Sequence, residues 1–290
     1  MKLAEHHDDV KTIPELFYFA ARERGDAEAL RYKEDGEWKS VSYAEWARTV
    51  RALAAALAPW IEAGDTVCML ADNRKEWTYV DLAVQSLAGI LAPIYPTSPP
   101  RDVEYIVNDA GAKIVVVDRP EQLERVQALR REGKLDIVEH IVVMDPADTS
   151  DEAVESLAAL LERGEGLDDS VVEERCAGLD PDGMASLIYT SGTTGNPKGV
   201  MLSHTNFISN VHAAFHRMGE DKFRDTVFLS FLPLSHSLER TCGYYMCVRV
   251  GGTIAYAESI EKLVANLGEV QPTVLISVPR IYEKVYAKVL

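Results

Sequence analysis

The chain of 290 residues has few cysteines, no long apolar run and no apolar leader. Its four cysteines form no Cys-x-x-Cys pair and no Cys/His set, which predicts small thiols in a reducing compartment rather than zinc ligands. A membrane-spanning helix would need about 18 consecutive apolar residues, and none are present. Acidic residues occupy the place where a signal peptide would be apolar. A cytoplasmic location is therefore the default expectation.

Positive charge is also scarce. Lys and Arg number 30 against 46 Asp and Glu, which gives a net charge of −16. Nucleic acid is not expected as a partner, because binding to a phosphate backbone needs a basic surface. The segment 145–182 holds 13 acidic and 2 basic residues, whereas 183–290 holds 8 acidic and 10 basic. The last third of the chain is thus the part suited to accept an anion.

Apolar runs alternate with amphipathic stretches, and this pattern predicts an α/β fold of alternating βαβ units with mostly parallel sheets. Two subdomains are expected, 1–182 with an acidic helical segment at 145–182, and 183–290, incomplete at its C-terminus. The predicted strands are 66–70, 113–118, 140–144, 186–191, 199–203, 226–232, 253–257 and 273–278, with a hairpin at 30–41. The predicted helices are 12–24, 43–61, 75–89, 121–131, 151–162, 168–177, 205–218, 236–248, 259–267 and one from 279 onward.

One stretch carries recognisable chemistry. Residues 190–199, Thr-Ser-Gly-Thr-Thr-Gly-Asn-Pro-Lys-Gly, hold four hydroxyls, three glycines and one lysine directly after an apolar strand. Glycines let backbone N–H groups turn toward an anion, hydroxyls donate further hydrogen bonds, and Lys198 adds a compact positive charge. Pro197 and Gly199 flank the lysine where a Walker P-loop needs Gly and Ser/Thr, and no G-x-G-x-x-G is present. The stretch is therefore predicted to be a different kind of polyphosphate-binding loop.

The loop and several other motifs resemble the adenylate-forming superfamily of acyl-CoA synthetases, luciferases and adenylation domains. Residues 189–199 resemble its phosphate-binding signature. Residues 231–240, Phe-Leu-Pro-Leu-Ser-His-Ser-Leu-Glu-Arg, are similar to the second family motif, in which a Pro and a following His border the acyl site. Residues 256–264 and 272–284 resemble the long-chain fatty acyl-CoA synthetase branch. The segments 43–46, 64–67 and 89–96 fit the same family, so the resemblance covers essentially the whole chain as the N-terminal part of the large domain.

This resemblance implies an ATP-dependent ligase with two half-reactions. A fatty acid carboxylate attacks the α-phosphorus of ATP, and the thiol of coenzyme A then displaces AMP to form a thioester. Mg²⁺ is the implied metal, with Thr190 as a candidate hydroxyl ligand, and His236 is the implied catalytic residue beside the carboxylate or the adenylate. The resemblance also implies a set of nucleotide-binding residues. Apart from Thr190, they would hold the β- and γ-phosphates: Ser191, Gly192, Thr193, Thr194, Gly195 and Lys198.

The chain departs from the family by what it does not contain. Family members carry a Tyr-Gly-x-Thr-Glu motif for adenine and Mg²⁺, a Thr-Gly-Asp for the ribose, and a mobile C-terminal domain with a catalytic Lys. None of these occurs before Leu290. We therefore expect an N-terminal fragment that is inactive alone and requires the missing C-terminal portion. A peripheral membrane contact to collect fatty acid is a further expectation, and it would need an exposed apolar patch.

Two other interpretations are compatible with the residues. The chain could belong to a ligase for another acid, medium-chain, aromatic or amino acid, although Glu239 is the only acidic candidate near the second motif for pairing with an α-amine. It could also be a non-catalytic module, or one half of a split protein that needs a partner chain. His204 is expected to be structural.

Overall fold

The computed structural model describes residues 6–190, 195–219 and 225–283. In the described part the strands are β1 Glu28–Glu34, β2 Glu37–Ser42, β3 Thr66–Leu70, β4 Ile90–Ile94, β5 Ile114–Val117, β6 His140–Val143, β7 Val154–Ser156, β8 Met184–Thr190, β9 Lys198–Ser203, β10 Val227–Ser230 and β11 Thr253–Tyr256. The helices are α1 Ile13–Arg24, α2 Tyr43–Leu57, α3 Lys75–Ser86, α4 Pro100–Asp109, α5 Pro120–Arg131, α6 Leu157–Gly164, α7 Ser170–Ala177, α8 His204–Met218, α9 Met246–Val250 and α10 Leu263–Val270. A short 3₁₀ turn, His7–Asp9, precedes α1, and a π-helical segment, Glu239–Tyr245, runs directly into α9.

The larger sheet has the strand order β7-β6-β5-β3-β4-β8-β9, and every neighbouring pair except β8–β9 is parallel. Strands β4 and β5 are buried along their whole length, as expected for parallel strands covered by helices on both faces. Helices α4 and α5 pack on one face, and α1, α2 and α3 contribute to the core on the other. The predicted α/β alternation with mostly parallel strands is confirmed.

The smaller sheet has the order β10-β11-β1-β2. Strands β1 and β2 form the predicted hairpin, in which Asp35 and Gly36 have φ values of 51° and 83°, as a tight Asp-Gly turn requires. Strand β1 then pairs in parallel with β11 through Leu30 and Ile254. Each sheet takes strands from both sides of residue 182, so the two subdomains that we predict at that boundary do not correspond to the two sheets.

Several predicted elements begin or end elsewhere. The segment 273–278 is not a strand: Val274 makes a single bridge to Phe228, and the Thr273 N–H donates to the Val227 carbonyl at 2.9 Å. The helix expected at 151–162 starts only at Leu157, because β7 precedes it and the Ser156 hydroxyl accepts the Ala159 N–H as its N-cap. Residues 279–283 are helical as predicted, while the continuation to Leu290 lies outside the described residues.

The acidic segment folds onto α2. Arg51 of α2 pairs with Asp169 at 2.9 Å and with Glu173 at 3.2 Å. Gly164 ends α6 against the backbone of Ala52 so closely that a Cβ would lie 1.9 Å from the Ala52 carbonyl oxygen. The two short helices predicted in this segment are therefore a packed layer, with acidic side chains directed partly at an arginine. Among the described residues, no helix has the length and apolar character needed to cross a membrane.

Candidate functional site

The predicted phosphate loop joins β8 to β9, an antiparallel hairpin at the edge of the larger sheet. Thr190 and Lys198 form the last registered pair of this hairpin, and both side chains are exposed. Gly195 has a φ of 134°, a backbone conformation that residues with a Cβ rarely adopt. The remaining candidates, Ser191, Gly192, Thr193 and Thr194, lie outside the described residues. The structure thus brings Thr190 and Lys198 together at the carboxyl end of β8, the edge where α/β sheets bind ligands.

Tyr189, which our sequence analysis did not single out, immediately precedes Thr190 in β8. Its hydroxyl donates to Asp109 Oδ2 of α4 at 2.7 Å. Its ring packs on Gly199, its registered partner, where an added Cβ would lie 3.1 Å from Tyr189 Cζ. Gly199 therefore has a packing role against an aromatic ring, in addition to any role in phosphate binding. No sequence signal pointed to Asp109, which is 80 residues away.

The second motif begins where β10 ends, and Asn73 holds it. The Asn73 amide nitrogen donates to Ser230 Oγ at 3.0 Å and to the Leu232 carbonyl at 2.6 Å, while its oxygen accepts the Leu234 N–H at 2.8 Å. Asn73 follows β3, so this residue ties a carboxyl end of the larger sheet to the turn that carries His236. A lone Asn in a loop gave no sequence signal for this role.

His236 is exposed at the start of the π-helical segment. Its Nδ1 accepts the Leu238 N–H at 3.1 Å, and its carbonyl accepts the Arg240 N–H at 3.1 Å. A neutral imidazole that accepts at Nδ1 carries its proton on Nε2. The ring is therefore oriented by the local backbone and presents an N–H donor at Nε2.

Glu239 is buried, with 1% of its surface exposed, and Ser230 Oγ donates to its Oε1 at 2.7 Å. Burial raises the pKa of this carboxyl to about 8, and the Ser230 hydrogen bond only partly opposes the shift. Its Oε2 has no hydrogen-bond partner among the described residues. At neutral pH Glu239 is mainly a protonated acid inside the core, so it is not an accessible anion for an α-amine.

Arg240, the last residue of the second motif, is fully buried and pairs with Asp81 of α3, which is also fully buried. Its guanidinium donates to Tyr245 Oη at 2.9 Å and to Ser186 Oγ of β8 at 2.6 Å. The Tyr245 hydroxyl in turn donates to Asp81 Oδ2 at 2.9 Å. This network connects the second motif to the strand that leads into the phosphate loop.

Two further features lie outside the site. His204 is buried, its Nδ1 accepts the Ile13 N–H at 3.3 Å, and burial together with the positive charge of Arg240 lowers its pKa to about 4. This agrees with the structural role expected for His204.

A cavity of about 760 Å³ lies between α2, the β1–β2 hairpin and α6, and it shares no residue with the loop or the second motif. This cavity is therefore separate from the candidate site.

Two solved structures illustrate the architecture that this chain shares with known proteins. The anthranilate CoA ligase AuaEII in complex with anthranoyl-AMP superimposes with a TM-score of 0.81 at 19% identity, over 96% of this chain and 52% of that one. The A domain of carboxylic acid reductase from Segniliparus rugosus, in complex with AMP and a co-purified carboxylic acid, gives 0.78 at 21% identity, over 95% and 49%. At these identities the likeness shows the fold alone.

The chain belongs to the AMP-binding enzyme family, whose profile matches residues 17–289. Long-chain-fatty-acid–CoA ligase ACSBG1 of Rattus norvegicus is 30% identical over 287 residues, which are 96% of this chain and 39% of that protein. Long-chain-fatty-acid–CoA ligase FadD15 of Mycobacterium bovis is 32% identical over 276 residues, which are 91% of this chain and 43% of that protein. The chain thus spans about two fifths of the length of these relatives.

Proposed function

We propose that this chain is the N-terminal part of an AMP-forming long-chain fatty acid–CoA ligase, and that it supplies the polyphosphate loop and part of the acyl site. The observation that carries the proposal is the pairing of Thr190 with Lys198 at the carboxyl end of β8. The family membership and the curated relatives support the same class of reaction. Fatty acid, ATP and coenzyme A are the proposed substrates.

The first half-reaction brings a carboxylate to a polyphosphate. At about 4 Å, two like unit charges repel by about 1 kcal/mol in water and by about 4 kcal/mol at an effective dielectric near 20. The site must therefore neutralise charge before it can position the reactants. Lys198 supplies a cation at the loop, and hydroxyl and backbone N–H donors of residues 190–195 are proposed to share the β- and γ-phosphate oxygens.

His236 is proposed to act at the reacting carboxylate or at the adenylate. Its exposed ring is oriented through Nδ1, so that Nε2–H can donate to an oxygen of either group. Asn73 and Ser230 fix the turn that precedes this ring.

We propose that Mg²⁺ would enter this site with the nucleotide. In the described ranges no group of three or more His, Cys, Asp or Glu side chains could hold a metal. Magnesium commonly keeps waters and phosphate oxygens as ligands and takes few from protein. The exposed Thr190 hydroxyl is the ligand that we propose from this chain, and the ion would supply charge neutralisation at the phosphates.

The four cysteines form no disulfide and three of them are buried, which supports the proposed reducing, cytoplasmic environment.

Two apolar side chains near the start of α10, Ile260 and Val264, are 56% and 59% exposed. Among the exposed apolar side chains of the described residues, these two are the ones that we propose for a peripheral membrane contact to collect fatty acid. This contact is a proposal, and vesicle flotation with palmitate-containing membranes would test it.

Calorimetry with pyrophosphate tests the loop assignment, because pyrophosphate is the leaving group that the loop would hold. We expect saturable binding to the chain and at least a tenfold loss of affinity in Lys198→Ala, whereas Lys113→Ala, which replaces an exposed lysine directly before β5, should leave the affinity unchanged. The chain itself is proposed not to turn over. Incubation with ATP, Mg²⁺, palmitate and coenzyme A should give no palmitoyl-CoA above the Lys198→Ala background, and clear formation would contradict this part of the proposal.

A further inference from the structure

The end of the β8–β9 hairpin is buried on one side only, because Ile188 and Tyr189 of β8 are each 8% exposed whereas the β9 side is open. β9 is an edge strand whose first four residues are exposed, including Val200 at 43% and Met201 at 70%. Hydrophobic burial on the β9 side therefore does little to fix where Thr190 and Lys198 lie. A specific polar contact at this position would have a correspondingly large influence on their geometry.

Such a contact is the hydrogen bond from Tyr189 to Asp109. It is 2.7 Å long and joins the residue next to Thr190 to the last residue of α4. Helix α4 is itself fixed, since Val103, Ile106 and Val107 are buried in the core beneath it. The Tyr189 ring also packs on Gly199, where an added Cβ would lie 3.1 Å from Tyr189 Cζ, closer than most Cβ contacts.

The chemistry favours a persistent bond. A hydroxyl that donates to a carboxylate makes a charge-assisted hydrogen bond, stronger than one between neutral groups. Burial, together with the Asp109 carboxylate, raises the pKa of Tyr189, so that its hydroxyl stays protonated and remains a donor. Asp109 also receives a longer contact from Tyr105, at 3.3 Å on the exposed side.

We propose that Tyr189 and Asp109 are positioning residues: their hydrogen bond holds Thr190 and Lys198 at the separation needed to bind two linked phosphate groups at once. This inference rests on the proposed function and deepens it. It predicts that the bond matters for pyrophosphate, which must meet both residues together, and matters little for orthophosphate, which can bind to one of them. A bond that only stabilised the fold would not discriminate between the two anions.

The test is a set of Kd measurements by calorimetry on the whole chain, each paired with a urea unfolding curve. For Tyr189→Phe we expect the pyrophosphate Kd to rise about tenfold, equivalent to about 1.4 kcal/mol, and the orthophosphate Kd to stay within about twofold. Tyr105→Phe is the matched control, because it removes the other hydroxyl on Asp109, and its pyrophosphate Kd should stay within about twofold. Asp109→Ala should resemble Tyr189→Phe, and the double variant should be no worse than either single variant.

The outcomes separate the two proposals. If the unmodified chain does not bind pyrophosphate, the proposed function fails and the positioning role falls with it. If the unmodified chain binds and Lys198→Ala does not, but Tyr189→Phe binds pyrophosphate as well as the unmodified chain, only the positioning role is overturned. An equal loss for both anions also overturns it. Should Tyr189→Phe fold poorly, Asp109→Asn keeps an acceptor without the charge, and its pyrophosphate Kd must still rise.

Discussion

Replacement of Glu239 by Gln should change how the stability of the protein depends on pH. The Glu239 carboxyl has 1% of its surface exposed, and burial raises its pKa from an ordinary 4.5 to about 8. In the unfolded chain the same group ionises near its ordinary pKa. The folded state therefore retains a proton across a pH interval in which the unfolded state has already released it.

The direction and the size of this pH dependence follow from the difference in proton binding between the folded and the unfolded state. Because the folded pKa is the higher one, the contribution to stability is fully present below about pH 4.5 and is lost as the pH rises through about 8. At 1.36 kcal/mol for each pKa unit, the whole interval corresponds to a contribution on the order of 4 to 5 kcal/mol. Glutamine is neutral at every pH, has the same shape, and can still accept the Ser230 hydroxyl. The Glu239→Gln variant should therefore lack this loss.

Urea unfolding at intervals between pH 5 and pH 9 measures the effect directly. We expect the free energy of unfolding of the unmodified chain to fall steadily relative to that of Glu239→Gln as the pH rises. Glu121→Gln, whose side chain is 78% exposed, serves as a surface control for removal of one carboxylate. Parallel profiles for the unmodified chain and Glu239→Gln would refute the reasoning, since they would mean that Glu239 is already ionised in the folded protein.

Three further changes have expected outcomes. Lys198→Ala should weaken pyrophosphate binding and shift the unfolding free energy by less than about 0.5 kcal/mol, because the side chain is exposed; calorimetry and urea unfolding check both. Asn73→Ala removes three hydrogen bonds to the second motif and should cost roughly 2 to 3 kcal/mol of stability, with faster amide exchange at Leu234. Asp81→Ala should cost roughly 3 to 5 kcal/mol, because Arg240 would be left as a buried unpaired charge; a loss below about 1 kcal/mol would contradict that account.

Local sequence pattern was enough for most elements of the fold. The predicted strand at 66–70 coincides with β3, since five apolar or β-branched residues follow the Gly64-Asp65 turn. Strand β4 was not predicted; Pro93 lies inside it, and proline is uncommon in a central strand. The structure accommodates Pro93 where the β4–β8 ladder has a single registered pair, Leu91 with Ser186.

Long-range pairing could not be predicted in the same way. Nothing local in 28–34 indicates that β1 pairs with β11, because that pairing depends on a strand that lies more than 200 residues further along the chain. The same limit applies to the site. Lys198 and His236 stand in recognisable motifs, whereas Asp109 and Asn73 act through partners 80 and about 160 residues away. Their side chains are common surface types, so no pattern marks them before the chain folds.

The guanidinium of Arg240 connects the second motif to the strand that leads into the phosphate loop. A buried ion pair is often no more stabilising than apolar residues of the same volume, so stability alone does not account for Arg240 and Asp81 in the core. Arg240 is four residues from His236, whose carbonyl accepts its N–H, and Ser186, its 2.6 Å partner, is four residues before Thr190. The directional hydrogen bonds of the guanidinium therefore fix the second motif relative to the strand that carries the phosphate loop, which an apolar contact would not do. In the proposed reaction a carboxylate near the second motif attacks the α-phosphorus of a nucleotide whose β- and γ-phosphates the loop holds, and this attack would depend on the fixed separation of the two motifs.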